Sequence, residues 1–380
     1  MNRWPTKPLG EVCELVNGRP FKPHEWEEGG LPIIRIQNLT DRTKPFNYTT
    51  QALPEKFKVK RGDTLLSWSG TPGTSFGCFR WDGPEGWLNQ HIFNVHLDDE
   101  VLPPFFIYQV NSKLDELIAK AHGGVGLQHI TKGALSSVNV TVPSLVEQKR
   151  LVKLLDEADE LRKLRAQANR RTAALIPSLF HEMFGDSAGN CKTATIEDAV
   201  EQFIDYRGKT PGKSPNGVPL VTAKIVKGGS ILPPSEFIPE DNYDAWMRRG
   251  LPRAGDVLFT MEAPLGEVAM VENTRIALAQ RILLMRPRFN LLDSRYFMTA
   301  LKMPSVWKQI EERATGSTVC GIRQAELRKV VMPIPPLPLQ KQFAARVSEI
   351  RAMQAEQSAS HRRLDDLFQS MMHRAFRGKL

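Results

Sequence analysis

The chain carries nearly the same message twice, about 190 residues apart. Pro143-Ser-Leu-Val-Glu-Gln148-Lys149 returns as Pro335-Pro-Leu-Pro-Leu-Gln340-Lys341 at a shift of 192. The same shift takes Gly124 to Gly316, Ile130 to Ile322, Leu135 to Leu327, Val138 to Val330, His181 to His373 and Phe184 to Phe376. So long a period excludes a solenoid unit of roughly 20–50 residues. What is duplicated is a whole domain plus a helix, and 380 residues give each copy enough chain for its own core. A protein built twice is suited to contact something twice.

Each copy opens with a mixed segment rich in Gly, Pro and β-formers, about Leu9 to Pro143 and Ile196 to Pro336. Gly30-Leu-Pro32-Ile-Ile-Arg35-Ile matches Gly217-Val-Pro219-Leu-Val-Thr222-Ala at a shift of 187. Gly62-Asp63-Thr-Leu65-Leu-Ser67 matches Gly255-Asp256-Val-Leu258-Phe-Thr260 at 193, where Gly73 also falls on Gly266. Gly-Asp before alternating apolar residues predicts a turn into a strand, with the aspartate capping the turn. Asn89-Gln90-His91-Ile-Phe then corresponds to Ala279-Gln280-Arg281-Ile-Leu. The drifting shift marks insertions, which belong in surface loops where binding specificity varies easily.

A long helix follows each mixed segment. Between Leu145 and Phe184 there is no glycine and one proline, Pro177. Leu151, Leu155, Ala158, Leu161, Leu175, Ile176, Leu179 and Met183 recur at helical spacing, as do Phe343, Val347, Ile350, Met353, Leu364, Leu367, Phe368 and Met371 in the second copy. Prolines precede each start and Gly185 and Gly378 mark the ends, while Pro177 predicts a kink or split. Forty helical residues span roughly 60 Å, too long for one small domain, so each helix needs a partner and the other copy supplies it. The middle of the apolar face is polar at Gln167, Asn169, Gln354 and Gln357, which weakens a two-helix seam. The expected fold class is α+β: two globular mixed α/β domains in a pseudo-twofold repeat, each followed by a long helix, the helices packing as an antiparallel coiled coil. The boundaries are 1–143, 144–186, 187–336 and 337–380.

A net charge of +9 and a pI near 9.4 favour a polyanionic partner. Residues 144–186 hold eight Lys/Arg against seven Asp/Glu, so polyanion binding falls to the globular parts and protein contact to the helix. Cys13, Cys78, Cys191 and Cys320 show no metal-ligand spacing and no shared place in the repeat, which points to a reducing compartment, the cytoplasm. Met-Asn-Arg-Trp-Pro has no apolar signal core, and no run nears 18 apolar residues, so no membrane association is expected.

Catalytic motifs fail in turn. Leu102-Pro103-Pro104-Phe105 lacks the polar residue that would open a base-amine methyltransferase motif, and no P-loop or metal-binding His/Cys set is present. Gly123-Gly-Val-Gly126 lacks a third dinucleotide-loop glycine and reads as a turn. His181 and His373 read as helix-end residues, and no acid partner for Asp63 or Asp256 recurs.

Together, in order and twice over, the Gly-Asp-x-Leu blocks, the Gln90 and Gln280 blocks, Gly316-Ser-Thr-Val-Cys-Gly-Ile322 and the Pro-Leu-x-x-Gln-Lys helix starts resemble the specificity subunit of type I DNA restriction–modification enzymes. The resemblance covers essentially the whole chain. It departs at Leu339-Gln340, where the family commonly has Glu-Gln. It implies two target recognition domains reading a bipartite double-stranded DNA site. The helices would be conserved spacers that set the distance and dock two methyltransferase subunits. A restriction/translocase subunit would complete the complex. The chain itself would be non-catalytic and hold no cofactor, with S-adenosylmethionine, and ATP with Mg, on the partners. The competing reading is a coiled-coil scaffold for a multisubunit complex that does not read DNA.

Base edges are read by Arg, Lys, Asn, Gln, Ser and Thr, and phosphates mostly by Lys and Arg. The candidate DNA-binding residues are Arg35, Asn38, Ser67, Ser69, Thr74, Asn89, Gln90 and His91 in the first copy. In the second they are Lys224, Lys227, Thr260, Arg275, Gln280 and Arg281.

Overall fold

The computed structural model describes residues 4–70, 75–119, 122–124, 127–185, 191–206, 210–316 and 319–380. Thr74, Gly73, Gly126 and the 186/187 boundary lie outside the described residues. The chain divides into two compact units. Unit one comprises residues up to Ala166 together with Ala359–Leu380, and unit two comprises Gln167–Ser358.

Unit one is built around a four-stranded antiparallel sheet in the order Cys13–Asn17, Ile92–Leu97, Thr64–Ser67, Gly77–Arg80. A second sheet runs Asn47–Thr49, Leu31–Ile34, Gly86–Leu88, Lys58–Val59, with Leu31–Ile34 and Gly86–Leu88 parallel. Thr6–Pro8 pairs with Asn139–Thr141, which closes the start of the globular part on its end. Thr64–Ser67 is buried on both faces, as an inner strand made of Thr, Leu and Ser allows. Its register is set by the preceding turn, where Asp63 Oδ2 accepts the Lys60 N–H at 2.8 Å. The Leu102-Pro103-Pro104-Phe105 segment opens the helix Pro103–Asn111, with its prolines in the first turn and Phe105 fully buried.

Unit two repeats this plan. Its main sheet runs Val200–Asp205, Ile282–Pro287, Val257–Thr260, Val268–Met270, all antiparallel. Val218–Val221 again lies parallel to a short strand, Ala277–Leu278, and Thr193–Thr195 pairs with Val331–Pro333. Gly30 and Gly217 hold the same place with φ of +98° and +124°. A Cβ there would strike the carbonyl oxygen of Thr49 or Ile238, so both copies need glycine.

The long helices are Leu145–Ala173, continued as Leu175–Phe184, and Leu337–Ala375. Pro177 has no N–H to give the preceding turn, and the first helix is interrupted at Ala174. The second copy has Gln369 at the matching place and runs unbroken. In unit one Leu151 and Leu155 share a core with Phe368, Met372 and Phe376, and Arg162 pairs with Asp365 at 2.7 Å. In unit two Phe180 and Phe184 pack on Phe343, and Gln354 Nε2 donates to the Thr172 carbonyl at 2.8 Å. Rising numbers on one helix meet falling numbers on the other, so the pair is antiparallel. The polar middle is partly satisfied, since Thr172 Oγ1 also donates to Gln357 Oε1 at 2.8 Å. Four apolar-face expectations fail: Leu161, Leu367, Leu175 and Met353 are 56%, 53%, 39% and 37% exposed. Periodicity defines an apolar face, but one helix partner covers only part of it.

The repeated Gln-Lys pair at the helix starts splits its duties. Lys149 and Lys341 are exposed, whereas Gln148 and Gln340 are fully buried. Gln148 Nε2 donates to the Glu100 and Pro143 carbonyls at 2.7 and 2.9 Å, and Oε1 accepts from Leu102 N–H at 2.8 Å. Gln340 does the same with the Leu291 and Pro335 carbonyls at 3.0 and 2.7 Å and with Asp293 N–H at 2.9 Å. Each glutamine therefore ties its long helix to the loop that leads into the helix Pro103–Asn111 or its counterpart Ser294–Ala300.

Two outcomes follow from this packing. Gln148→Leu or Gln340→Leu strands three buried or half-buried backbone groups and lowers unfolding stability by about 2–4 kcal/mol in urea titration, while Lys149→Ala stays within about 0.5 kcal/mol. Burial pushes the Cys13 thiol up to about 12 and the buried Cys78 thiol further in the same direction, whereas Cys320 is exposed. Mass spectrometry after maleimide treatment of the native chain should find Cys320 modified, and Cys13 and Cys78 modified only after denaturation.

Candidate nucleic-acid interface

At the end of the central strand of unit one, Thr64–Ser67 hands on to Trp68 and then to the short strand Ser69–Gly70. Trp68 N–H donates to the His91 carbonyl at 3.2 Å, and Ile130 N–H donates to the Trp68 carbonyl at 3.0 Å. Ser69 pairs with His129 on the neighbouring strand. Unit two repeats the frame bond for bond. Met261 N–H donates to the Arg281 carbonyl at 2.8 Å, Ile322 N–H donates to the Met261 carbonyl at 3.0 Å, and Glu262 bridges Gly321. Asn89 N–H to the Ile34 carbonyl at 3.0 Å likewise matches Ala279 N–H to the Val221 carbonyl at 2.9 Å. One backbone frame is therefore present twice with different side chains. Trp68, Ser69, His91 and His129 in one copy stand where Met261, Glu262, Arg281 and Gly321 stand in the other.

The two sets offer different chemistry. In unit one the Trp68 ring lies 5.0 Å from His91 and 5.9 Å from His129, and the two imidazoles stack at 5.5 Å. Ser69 Oγ is 2.6 Å from His129 Nδ1, and Trp68 Nε1 donates to Asn17 Oδ1 at 3.1 Å. Burial holds the His91 imidazole below the ordinary histidine range, and the neighbouring His129 ring adds to the effect. This surface presents aromatic edges and imidazole nitrogens. In unit two Met261, Glu262, Gln280, Arg281, Thr315 and Arg323 line a cleft. Arg281 Nε meets Glu262 Oε1 at 2.8 Å across it. This surface presents charge.

The candidate residues divide accordingly. Ser67, Ser69, His91 and the adjoining Asn89 and Gln90 converge in unit one, as do Thr260, Gln280 and Arg281 in unit two. Several are occupied inside the fold. Ser67 and Ser69 are buried, and Thr260 is fully buried with Oγ1 accepting the Glu267 N–H at 2.8 Å. Asn38 is buried, with Oδ1 accepting the Arg35 N–H at 3.0 Å and Nδ2 donating to the Lys44 carbonyl at 3.1 Å. Arg35 sits over the Trp26 ring at 5.4 Å. Arg275 covers Tyr243 at 4.2 Å and pairs with Glu240. Lys224 and Lys227 are exposed, beside and on the strand Val226–Lys227 respectively. Trp68, His129, Glu262, Thr315 and Arg323 were not among the candidates. The signal for the first three was the repeat itself: Trp68 and Glu262 follow the matched Ser67 and Thr260, and His129 precedes the matched Ile130.

Below this frame the two copies differ inside the sheet. Asp256 and Arg286 form an ion pair with side chains 0% and 3% exposed. Arg286 Nε and Nη2 reach Asp256 Oδ1 and Oδ2 at 2.9 and 2.8 Å, and Nη2 also donates to the Leu251 carbonyl at 3.0 Å. Asp256 Oδ2 caps its turn through the Arg253 N–H at 2.7 Å. In unit one Asp63, the counterpart of Asp256, instead accepts from Asn94 Nδ2 at 3.3 Å, and the place of Asn94 in the strand is that of Leu284 rather than Arg286. Among the described residues no group of three or more His, Cys, Asp or Glu is placed to hold a metal ion, and no helix is long and apolar enough to cross a membrane.

Residues 1–171 and 247–359 match the family profile described as the type I restriction modification DNA specificity domain. The chain is 21% identical to the EcoBI specificity subunit of Escherichia coli, covering 99% of this chain and 86% of that protein. It is 21% identical to the MjaVIII specificity subunit of Methanocaldococcus jannaschii, covering 91% and 86%. Its fold matches the type I restriction–modification S subunit from M. genitalium with a TM-score of 0.57 at 14% identity, over 99% of this chain and 96% of that one. A chain from a structure of type I restriction–modification complex assembly and conformational transition aligns with a TM-score of 0.59 at 19% identity, over 99% and 98%.

The buried pair sets the contrast to measure. Asp256→Ala leaves Arg286 buried and uncompensated and lowers the stability of unit two by about 3–5 kcal/mol, whereas Asp63→Ala in unit one costs about 1 kcal/mol. Hydrogen exchange of the two sheets reads each unit separately.

Proposed function

The chain belongs to the type I restriction–modification DNA specificity family, and from that premise we propose that it reads a bipartite DNA site, one half-site per recognition domain. The observation that carries this reading is the duplicated frame. Two identical backbone scaffolds holding Trp68, His91 and His129 in one copy and Glu262, Gln280 and Arg281 in the other suit two short sequences that differ. The net charge of +9 supplies the sequence-independent attraction to the phosphate backbone.

The long helices set the number of unread base pairs and dock two methyltransferase subunits. Exposed Leu161, Leu164 and Leu367 on the helices of unit one support a protein partner there. A restriction/translocase subunit joins through those partners. S-adenosylmethionine, and ATP with Mg, belong to the partner subunits, and this chain is non-catalytic and works in the cytoplasm.

Footprinting of the complex purified through the full-length chain tests the proposal. Two protected segments separated by an unprotected spacer, surviving raised salt, are the expected result; diffuse protection lost with salt would instead support the scaffold reading. Deleting one turn from each long helix at facing positions should shorten the spacer by roughly one or two base pairs and leave both half-sites unchanged. Altered half-sites with an unaltered spacer would refute the role assigned to helix length.

A further inference from the structure

Both copies place a side chain where the backbone asks for glycine. His91 and Arg281 occupy the same position of the frame, with φ of 72° and 76°. A non-glycine residue in this left-handed region is strained, and the strain persists where the side chain is used. Arg281 is not held there by packing, since its side chain is 48% exposed. Among the described residues its polar contact is Nε to Glu262 Oε1 at 2.8 Å. With Nε engaged, the two Nη groups are left for a ligand at the cleft that Arg281 lines with Gln280 and Arg323.

Resting on the bipartite reading above, we infer that Arg281, oriented by Glu262, reads a guanine in the half-site taken by unit two. The two Nη groups donate to O6 and N7 in the major groove, a planar fork that only guanine accepts as a pair. Glu262 has two effects on this contact. It fixes the guanidinium before DNA arrives, which reduces the side-chain freedom lost on binding. It also offsets the positive charge locally, which makes Arg281 a poor phosphate clamp and favours an edge contact over a backbone one. Glu262 is thus a positioning residue. His91, at the matching place in unit one, has no such fork, and Ser69 and His129 stand where Glu262 and Gly321 would be. The guanine requirement therefore belongs to one half-site.

The test uses the complex purified through the full-length chain and a selection from duplexes randomised across both half-sites. Arg281→Gly relieves the backbone strain, so its melting temperature should equal or exceed that of the unaltered protein. Its preference for guanine should fall about ten- to a hundredfold at one position of one half-site, with every other position retained. Glu262→Gln should weaken the same position by a smaller factor, and His91→Gly should leave it intact. Arg281→Gly that keeps the full guanine preference overturns the inference. So does an equal loss of affinity for all sequences, which marks a phosphate contact. If the unaltered complex selects no split sequence at all, the bipartite reading itself has failed, and that outcome is visible before any variant is made.

Discussion

Neither globular part closes its own core. The last turns of the second long helix lay Phe368, Met372 and Phe376 into the core that also holds Phe105, Leu151 and Leu155. The last turns of the first lay Phe180 and Phe184 against Tyr296 and Phe343. Phe376 approaches Phe105 to 5.4 Å between ring centres, and Phe184 approaches Tyr296 to 5.0 Å. Each such side chain contributes about 1.5–3 kcal/mol by burial alone, so several of them amount to a large part of what a marginally stable domain has. The antiparallel helix pair exists because both of its ends are core residues, and the frame at the tip of each central sheet is held on that same core.

Much of this was legible in the sequence because the repeat survives where packing is strictest. Ile130 and Ile322, Leu135 and Leu327, Val138 and Val330 are buried pairs in their respective units, and Gln148 and Gln340 make the same three hydrogen bonds. A buried glutamine with every polar atom engaged tolerates few replacements, so it recurs in both copies. The helix interruption was also legible, since a missing N–H at Pro177 leaves its trace one turn earlier. The exposure of Leu161 and Leu367 was not, because a helical period says which residues share a face and nothing about how much of that face a neighbour covers.

The candidate site was harder to read, for a physical reason. Its constancy lies in backbone hydrogen bonds from Trp68 and Met261, which place no demand on side-chain identity. Residue-type arguments selected Gln280, Arg281 and His91, whose chemistry suits base edges. They also picked Asn38 and Thr260, whose polar atoms are consumed by local turns. They passed over Trp68 and Glu262, which share a frame with the chosen residues without resembling one another. The sheet interior shows the same freedom in another form: the matched aspartates take partners from different places on the neighbouring strand, Asp256 the Arg286 guanidinium and Asp63 the Asn94 amide.

The sharing of helix ends also sets an order of events at the ribosome. Unit one needs residues from Ala359 onward, yet its other part ends at Ala166. At about 5–20 residues per second, the nascent first domain waits roughly ten to forty seconds for its closing segment. Phe105 and Leu151 are without Phe376 and Phe368 for that interval. Unit two, contiguous from Gln167 to Ser358, has all its pieces first. The half of the protein that is written first is therefore the half that finishes last.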